Sequence, residues 1–179
     1  MVIGAGAGGL TVAAGSAGLG AKACLIERAF FGGDCLVTGC VPSKAFLKAC
    51  NVAHTVKNCA SFGIKVTGVE IDFPALMARM REIRAEISAA DSAKKFTDFY
   101  GIDIYMGDAK FKSKTSVIVN GKELTFKKAC IATGARPYVP DYKGISDISY
   151  YTSDNIFNLQ IQPEKMLIIG AGPVGCELG

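Results

Sequence analysis

The 179 residues are half apolar and one-fifth charged, and 20 Lys and Arg against 16 Asp and Glu leave a net charge of +4. That balance supports a globular core, and basic residues scattered along the chain exclude the dense patch of a nucleic-acid surface. An odd count of seven cysteines, Cys24, Cys35, Cys40, Cys50, Cys59, Cys130 and Cys176, is a poor disulfide framework for a secreted domain and suits the reducing cytoplasm.

Residues 1–27 read as strand (MVI), glycine turn (GAGAGG), helix (LTVAAGSAGLG) and strand (AKACLIE). The first 21 residues carry no charge, and Ala21-Lys22-Ala23 has the look of a cleavage site. No positive residue precedes the apolar run, however, and seven of the first 20 residues are glycines, which disfavour the helix of a signal peptide. The expectation is a folded segment with no membrane partner. Gly4, Gly6 and Gly9 spell G-x-G-x-x-G between strand and helix, and Glu27 lies 18 residues further on. In that order the glycines give a tight turn, a close approach of backbone to pyrophosphate and close helix–strand packing. The carboxylate accepts from a ribose hydroxyl.

LVTGCVPSKAFLKACNVAHTVKNCASFG then reads as a long helix with an irregular start. A second helix follows Asp72, with Phe73, Leu76, Met77, Met80, Ile83 and Ile87 at spacings of three and four. From Ile102 the pattern turns to short strands (IDIYMG, AKFK, TSVIVNG, ELTF), with Asn120-Gly121 as a hairpin signal. KKACIATGARP reads as a buried strand ending at a glycine turn. Pro137 and Pro140 then open a connection, and MLIIGAGPVGCELG repeats the strand–turn–helix pattern with Gly170, Gly172 and Gly175. Two such motifs in one chain point to two dinucleotides, a flavin and a nicotinamide.

Within GGDCLVTGCVPSK, Cys35 and Cys40 stand five positions apart. A zinc site needs about four ligands, and the single histidine, His54, lies mid-helix with no second cluster, so no resident metal is expected. Two thiols alone still suit a soft metal, and that alternative stays open beside a redox pair. For the redox pair, Asp34 is a candidate N-cap placing Cys35 in a first helical turn, where the dipole favours a thiolate, and Lys44 adds positive charge. A five-residue spacing on an ideal helix splays the two side chains. Bridging them needs the distortion that Thr38-Gly39 and Pro42 supply.

GGDCLVTGCVPSK, the opening GAGAGG with Glu27, ACIATGARP and IIGAGPVGCELG stand in the order of the flavin-dependent pyridine nucleotide-disulfide oxidoreductases. The whole chain resembles that family, nearest to its mercuric reductase-like and dihydrolipoamide dehydrogenase-like members. The resemblance implies an α/β fold: a Rossmann-type FAD-binding domain with a helical excursion and a β-meander over residues 1–145, then the start of a second, NAD(P)-binding Rossmann domain over 146–179. It implies FAD with NAD or NADP as cofactors, and a small-molecule electron acceptor, Hg(II) or a disulfide. It also implies a homodimer for the full-length protein, whose C-terminal dimerisation domain is absent, so that the chain reads as a fragment clipped at both ends.

Residue by residue, the resemblance makes Cys40 the thiol beside the flavin and Cys35 the interchange thiol, the two joined as a redox disulfide. Gly33 and residue 34 line the FAD pyrophosphate, Ala109 meets the adenine, and Thr133 with Gly134 closes over the cofactor. Glu177 is the acid that pairs with Lys44 near the flavin. Residue 34 is commonly Thr in the family, and Asp34 brings a negative charge to that place.

Overall fold

A computed structural model describes residues 1–179. In chain order the elements are β1 (Val2–Ile3), α1 (Ala7–Gly18), β2 (Cys24–Glu27), α2 (Gly33–Val37), α3 (Cys40–Lys57), α4 (Phe73–Ser88), α5 (Ala93–Tyr100), β3 (Asp103–Met106), β4 (Lys110–Ser113), β5 (Ser116–Val119), β6 (Lys122–Thr125), β7 (Cys130–Ile131) and α6 (Pro173–Leu178). They fall into two compact units, residues 1–37 with 86–136 and residues 38–85 with 137–179.

The first unit is built on a parallel sheet of order β3-β2-β1-β7. Its strands alternate between two faces, as the pleat requires. Val2 and Leu25 face one core with Ile104, where Leu10 and Ala13 of α1 and Phe96 of α5 pack. Ile3 and Ile26 face the other, against Val117 and Val119 of β5. Ala13 is fully buried, and such a small side chain lets α1 lie close on the sheet. The second face is covered by the antiparallel sheet β4-β5-β6. Its β5–β6 turn is a two-residue loop in which Asn120 (φ +48) and Gly121 (φ +79) both take left-handed conformations, the I′ hairpin that Asn-Gly encodes. The sheet and meander confirm the expected α/β class.

Three expectations are corrected and one element is added. The added element is helix α5, which Ser92 caps by accepting from the Lys95 N–H at 3.3 Å and Gly101 (φ +64) ends. IDIYMG belongs to the parallel sheet, beside β2, and the meander proper starts at β4. The strand in KKACIATGARP is short and not buried: Ile131 is 65% exposed because β7 is an edge strand. Residues 166–169 form no strand, and Leu167 and Ile169 are exposed. A parallel strand needs a neighbour to bond, and the second unit holds no other strand.

The second unit packs α3 and α4 through Ala45, Phe73, Met77, Met80 and Phe157, with Leu76, Ile83 and Leu178 at the margin. Ile87, read as part of the α4 stripe, is 40% exposed, one turn beyond the last packed position.

Candidate functional site

The strand order of the first unit reverses at β1, between β2 and β7. In open α/β sheets, ligands settle at the carboxyl ends of the strands flanking such a reversal. The glycine turn lies there. Gly4 turns at φ +104, and a Cβ on it would stand 2.2 Å from the Ala132 carbonyl oxygen at the end of β7. A Cβ on Gly9 would stand 1.8 Å from the Gly4 carbonyl oxygen, and one on Gly33 would stand 2.6 Å from Gly6 Cα. Only residues without side chains let α1, the turn and the start of α2 pack so closely. Gly6 precedes α1 in extended conformation with no side-chain cap, so the first N–H groups of that 12-residue helix are not taken by a side chain.

Glu27 is brought to the turn. Its Oε2 accepts from the Ala5 N–H at 2.6 Å and its Oε1 from the Ala29 N–H at 2.7 Å. The sequence suggests a ribose partner in Glu27; it does not reveal that the same carboxylate clamps the turn that follows β1. Each carboxylate oxygen has a second lone-pair site, so the clamp leaves acceptors for a hydroxyl. A side-chain-free turn, an uncapped helix start and a carboxylate at one sheet edge fit a dinucleotide, with pyrophosphate over the glycines and ribose at Glu27.

Asp34 does not cap a helix. Helix α2 begins at Gly33, so Asp34 lies within the first turn. The reason is that Gly32 (φ +88) and Gly33 (φ +56) make a bend open only to glycine, and the chain enters the helix at Gly33, two residues before a cap at Asp34 would start it. The Asp34 carboxylate instead lies 3.6 Å from where a Gly134 Cβ would stand. Thr133 and Gly134 are exposed just beyond β7, and Gly134 turns at φ +69. Ala109 is half-buried against the Ile3–Ile26–Val117–Val119 cluster.

Cys35 lies half-buried on α2, and exposed Cys40 is the first residue of α3. The expected interruption is present at Thr38-Gly39, between the two helices. Pro42 falls in the first turn of α3, where a missing N–H costs no helix bond. Cys24 is half-buried and burial pushes its thiol up, while Cys59 is buried and donates to the Val56 carbonyl at 2.9 Å. His54 is exposed on α3.

In the second unit, Lys44 and Glu177 meet across 133 positions of sequence. Lys44 Nζ donates to Glu177 Oε1 at 2.5 Å. Ser43 Oγ donates to the same oxygen at 3.1 Å. The Lys44 hydrogen bond, with a smaller contribution from Ser43, holds the Glu177 carboxyl below its usual range against an opposing effect of desolvation. Glu177 belongs to α6, which follows a second glycine turn. There Gly170 turns at φ +124 and a Cβ on Gly175 would stand 2.1 Å from the Gly170 carbonyl oxygen, the same close approach as Gly9 on Gly4. Gly172 precedes α6 at φ −76, ψ 176, as Gly6 precedes α1 at φ −75, ψ 179.

No helix is long and apolar enough to cross a membrane, and no group of three or more His, Cys, Asp or Glu is placed to hold a metal ion.

Comparison with known proteins yields a match to the pyridine nucleotide-disulphide oxidoreductase family over residues 1–179. Among curated proteins, the mercuric reductase of Bacillus cereus is 33% identical over 179 residues, all of this chain and 28% of that protein. The dihydrolipoyl dehydrogenase of Acholeplasma laidlawii is 34% identical over 184 residues, 99% of this chain and 54% of its own length. The solved HOCl-induced flavoprotein disulfide reductase RclA from Escherichia coli aligns with TM-score 0.80 and 28% identity, over 99% of this chain and 38% of that chain. The chain thus spans roughly a third to a half of the relatives it matches.

Proposed function

Because this chain belongs to the pyridine nucleotide-disulphide oxidoreductase family, whose members use FAD and NAD(P)H, we propose that its parent protein passes two electrons from NAD(P)H to a Cys35–Cys40 disulfide and on to a small acceptor. FAD supplies two-electron chemistry between a nicotinamide and a disulfide. Residues 1–145 form the FAD-binding domain and residues 146–179 the beginning of the NAD(P)-binding domain. Gly4, Gly6, Gly9, Gly33 and Asp34 line the pyrophosphate, Glu27 takes the ribose, Ala109 meets the adenine through its backbone, and Thr133 and Gly134 close the site. Gly170, Gly172 and Gly175 do the same work for the nicotinamide cofactor. The observation that carries the reading is the convergence of Gly4, Gly9, Gly33 and the Glu27 carboxylate on the crevice beside the strand-order reversal.

The residues divide the thiol chemistry. Two electrons and two protons convert the disulfide to two thiols. The Cys35 thiolate then attacks one sulfur of an acceptor disulfide, forming a mixed disulfide and releasing a thiol. Cys40 attacks the Cys35 sulfur, releases the second thiol and re-forms the bridge. With Hg(II), the two thiolates bind the ion as substrate. Lys44 and Glu177 hold opposite charges one turn beyond Cys40. The odd cysteine count supports a reducing, cytoplasmic location, and the resemblance supports a homodimer.

Thiol counting on the purified flavoprotein tests this. Stoichiometric NAD(P)H should expose two further thiols and Cys40→Ser should abolish the increase, whereas an unchanged count in the unsubstituted protein would overturn the reading. Turnover with Hg(II), lipoamide or glutathione disulfide then assigns the acceptor.

A further inference from the structure

Ser43 is one of two buried polar residues in the chain, at 5% exposure. A buried hydroxyl is costly unless it is bonded, and a helical serine commonly satisfies itself on the carbonyl three residues back. For Ser43 that carbonyl belongs to Cys40 and is 3.4 Å away, long for an O–H···O bond. The Glu177 carboxylate oxygen, at 3.1 Å, is both nearer and charged. The hydroxyl has one proton to give, and the geometry directs it to Glu177.

The arrangement has a second feature. Neighbouring residues on a helix point about 100° apart and do not share a face, yet Ser43 and Lys44 both reach Oε1 of Glu177. Ser43 comes from the buried side of α3 and Lys44 from the exposed side, its side chain 67% exposed. The carboxylate therefore sits over the seam between two faces of α3. A long lysine stem cannot fix that position alone, because its rotamers are many. A serine has a single side-chain torsion to its oxygen.

We propose that Ser43 is a positioning residue: from the buried face of α3 it fixes Oε1 of Glu177 where Lys44 meets it, and so fastens α6 to the first turn of α3, next to Cys40. This deepens the proposed function and rests on it for its meaning in catalysis, since Ser43 acts through Glu177 and Lys44 and not on a substrate. Lys44 lowers the Glu177 carboxyl chiefly by its hydrogen bond and also by its charge, and Ser43 lowers it by a second hydrogen bond.

The test uses the protein labelled with 13C at the side-chain carboxyl of glutamate, and it reads a titration and not turnover, so that its failure is separate from failure of the redox reading. Glu177→Gln assigns the resonance, and the Glu177 titration midpoint is followed in Ser43→Ala and Lys44→Met. The expected result is an upward shift in Ser43→Ala, and in Lys44→Met a midpoint that still lies below that of the double variant. An unchanged midpoint in folded Ser43→Ala overturns the proposal, even if melting temperature falls, because packing alone would do that. Should Ser43→Ala fail to fold, Lys44→Met decides, since Lys44 is exposed. Midpoint and chemical shift already at free-glutamate values with Ser43 intact overturn the proposal, and a midpoint still depressed supports it.

Discussion

Replacing Glu27 probes the clamp on the glycine turn. In Glu27→Gln the two carboxylate oxygens become one oxygen and one NH2, while the two partners, the N–H groups of Ala5 and Ala29, both remain donors. The amide must set its NH2 against one of them. Ala5 is fully buried and has no water to turn to, whereas Ala29 is exposed. The amide oxygen will therefore stay on Ala5 and the NH2 will face Ala29, whose N–H water can satisfy. The loss is then one exposed bond plus the weakening of a charged bond to a neutral one, about 1–2 kcal/mol. Glu27→Ala removes both acceptors and leaves the Ala5 N–H buried and unsatisfied, raising the cost to about 3 kcal/mol. Urea unfolding measures the difference, and amide exchange at Ala5 locates it: protection should survive in Glu27→Gln and fall sharply in Glu27→Ala. Equal costs for the two variants, or both below about 0.5 kcal/mol, would refute the clamp.

Alanine at Gly9 and at Gly15 should act in opposite directions. A Gly9 Cβ would meet the Gly4 carbonyl oxygen at 1.8 Å whereas nothing lies within 4 Å of one on Gly15, so Gly9→Ala should cost about 3 kcal/mol or more and Gly15→Ala should stabilise by about 0.5–1 kcal/mol, both measurable by denaturant unfolding. The Glu177 carboxyl is held below its usual range by the Lys44 hydrogen bond, so its contribution is fully present above the unfolded carboxyl value and lost as pH falls through the depressed one. Amide exchange in α6 should accelerate across that acid window, and Lys44→Met should flatten the step; a step unchanged in Lys44→Met would sink the assignment.

What the sequence carried was local chemistry. Gly4 and Gly9 predict the turn because the approach of backbone to backbone excludes every other residue there, and Asn120-Gly121 predicts the hairpin because two successive left-handed residues permit little else. Lys44 and Glu177 came from a resemblance. No periodicity joins positions 133 residues apart, and their meeting depends on where α3 and α6 pack. Ser43 is not legible in the sequence because a serine in a helix looks ordinary until its exposure and partner are known. Helix α5 is not legible although Ser92 and Gly101 flank it, because AKKFTDFY falls short of the window of about 11–18 residues over which a helical period stands out. Asp34 misled in a different way: an acid before an apolar run is a good cap signal, but the two glycines preceding it bend the chain into the helix first.

The two glycine turns separate what is local in this fold from what is not. Gly4 and Gly170 turn alike, Gly6 and Gly172 enter their helices at nearly the same angles, and a Cβ on Gly9 or on Gly175 would stand 1.8 or 2.1 Å from the carbonyl oxygen of the first glycine. A Cβ on Gly9 would also meet Val2 Cγ1 at 3.4 Å and one on Gly175 would meet Ile168 Cγ2 at 3.5 Å, so the apolar residue two positions before the turn packs in the same way. Yet Val2 lies in a strand, bonded on both sides by β2 and β7, and Ile168 does not. Six residues therefore suffice to set the turn, the helix start and the packing of the preceding side chain, whereas strand geometry waits on neighbours. Since the N–H groups of the proposed dinucleotide cradle belong to the turn and the helix start, the cradle is encoded at the level of the motif, and the sheet serves to place beside it the residues, such as Glu27, that come from elsewhere in the chain.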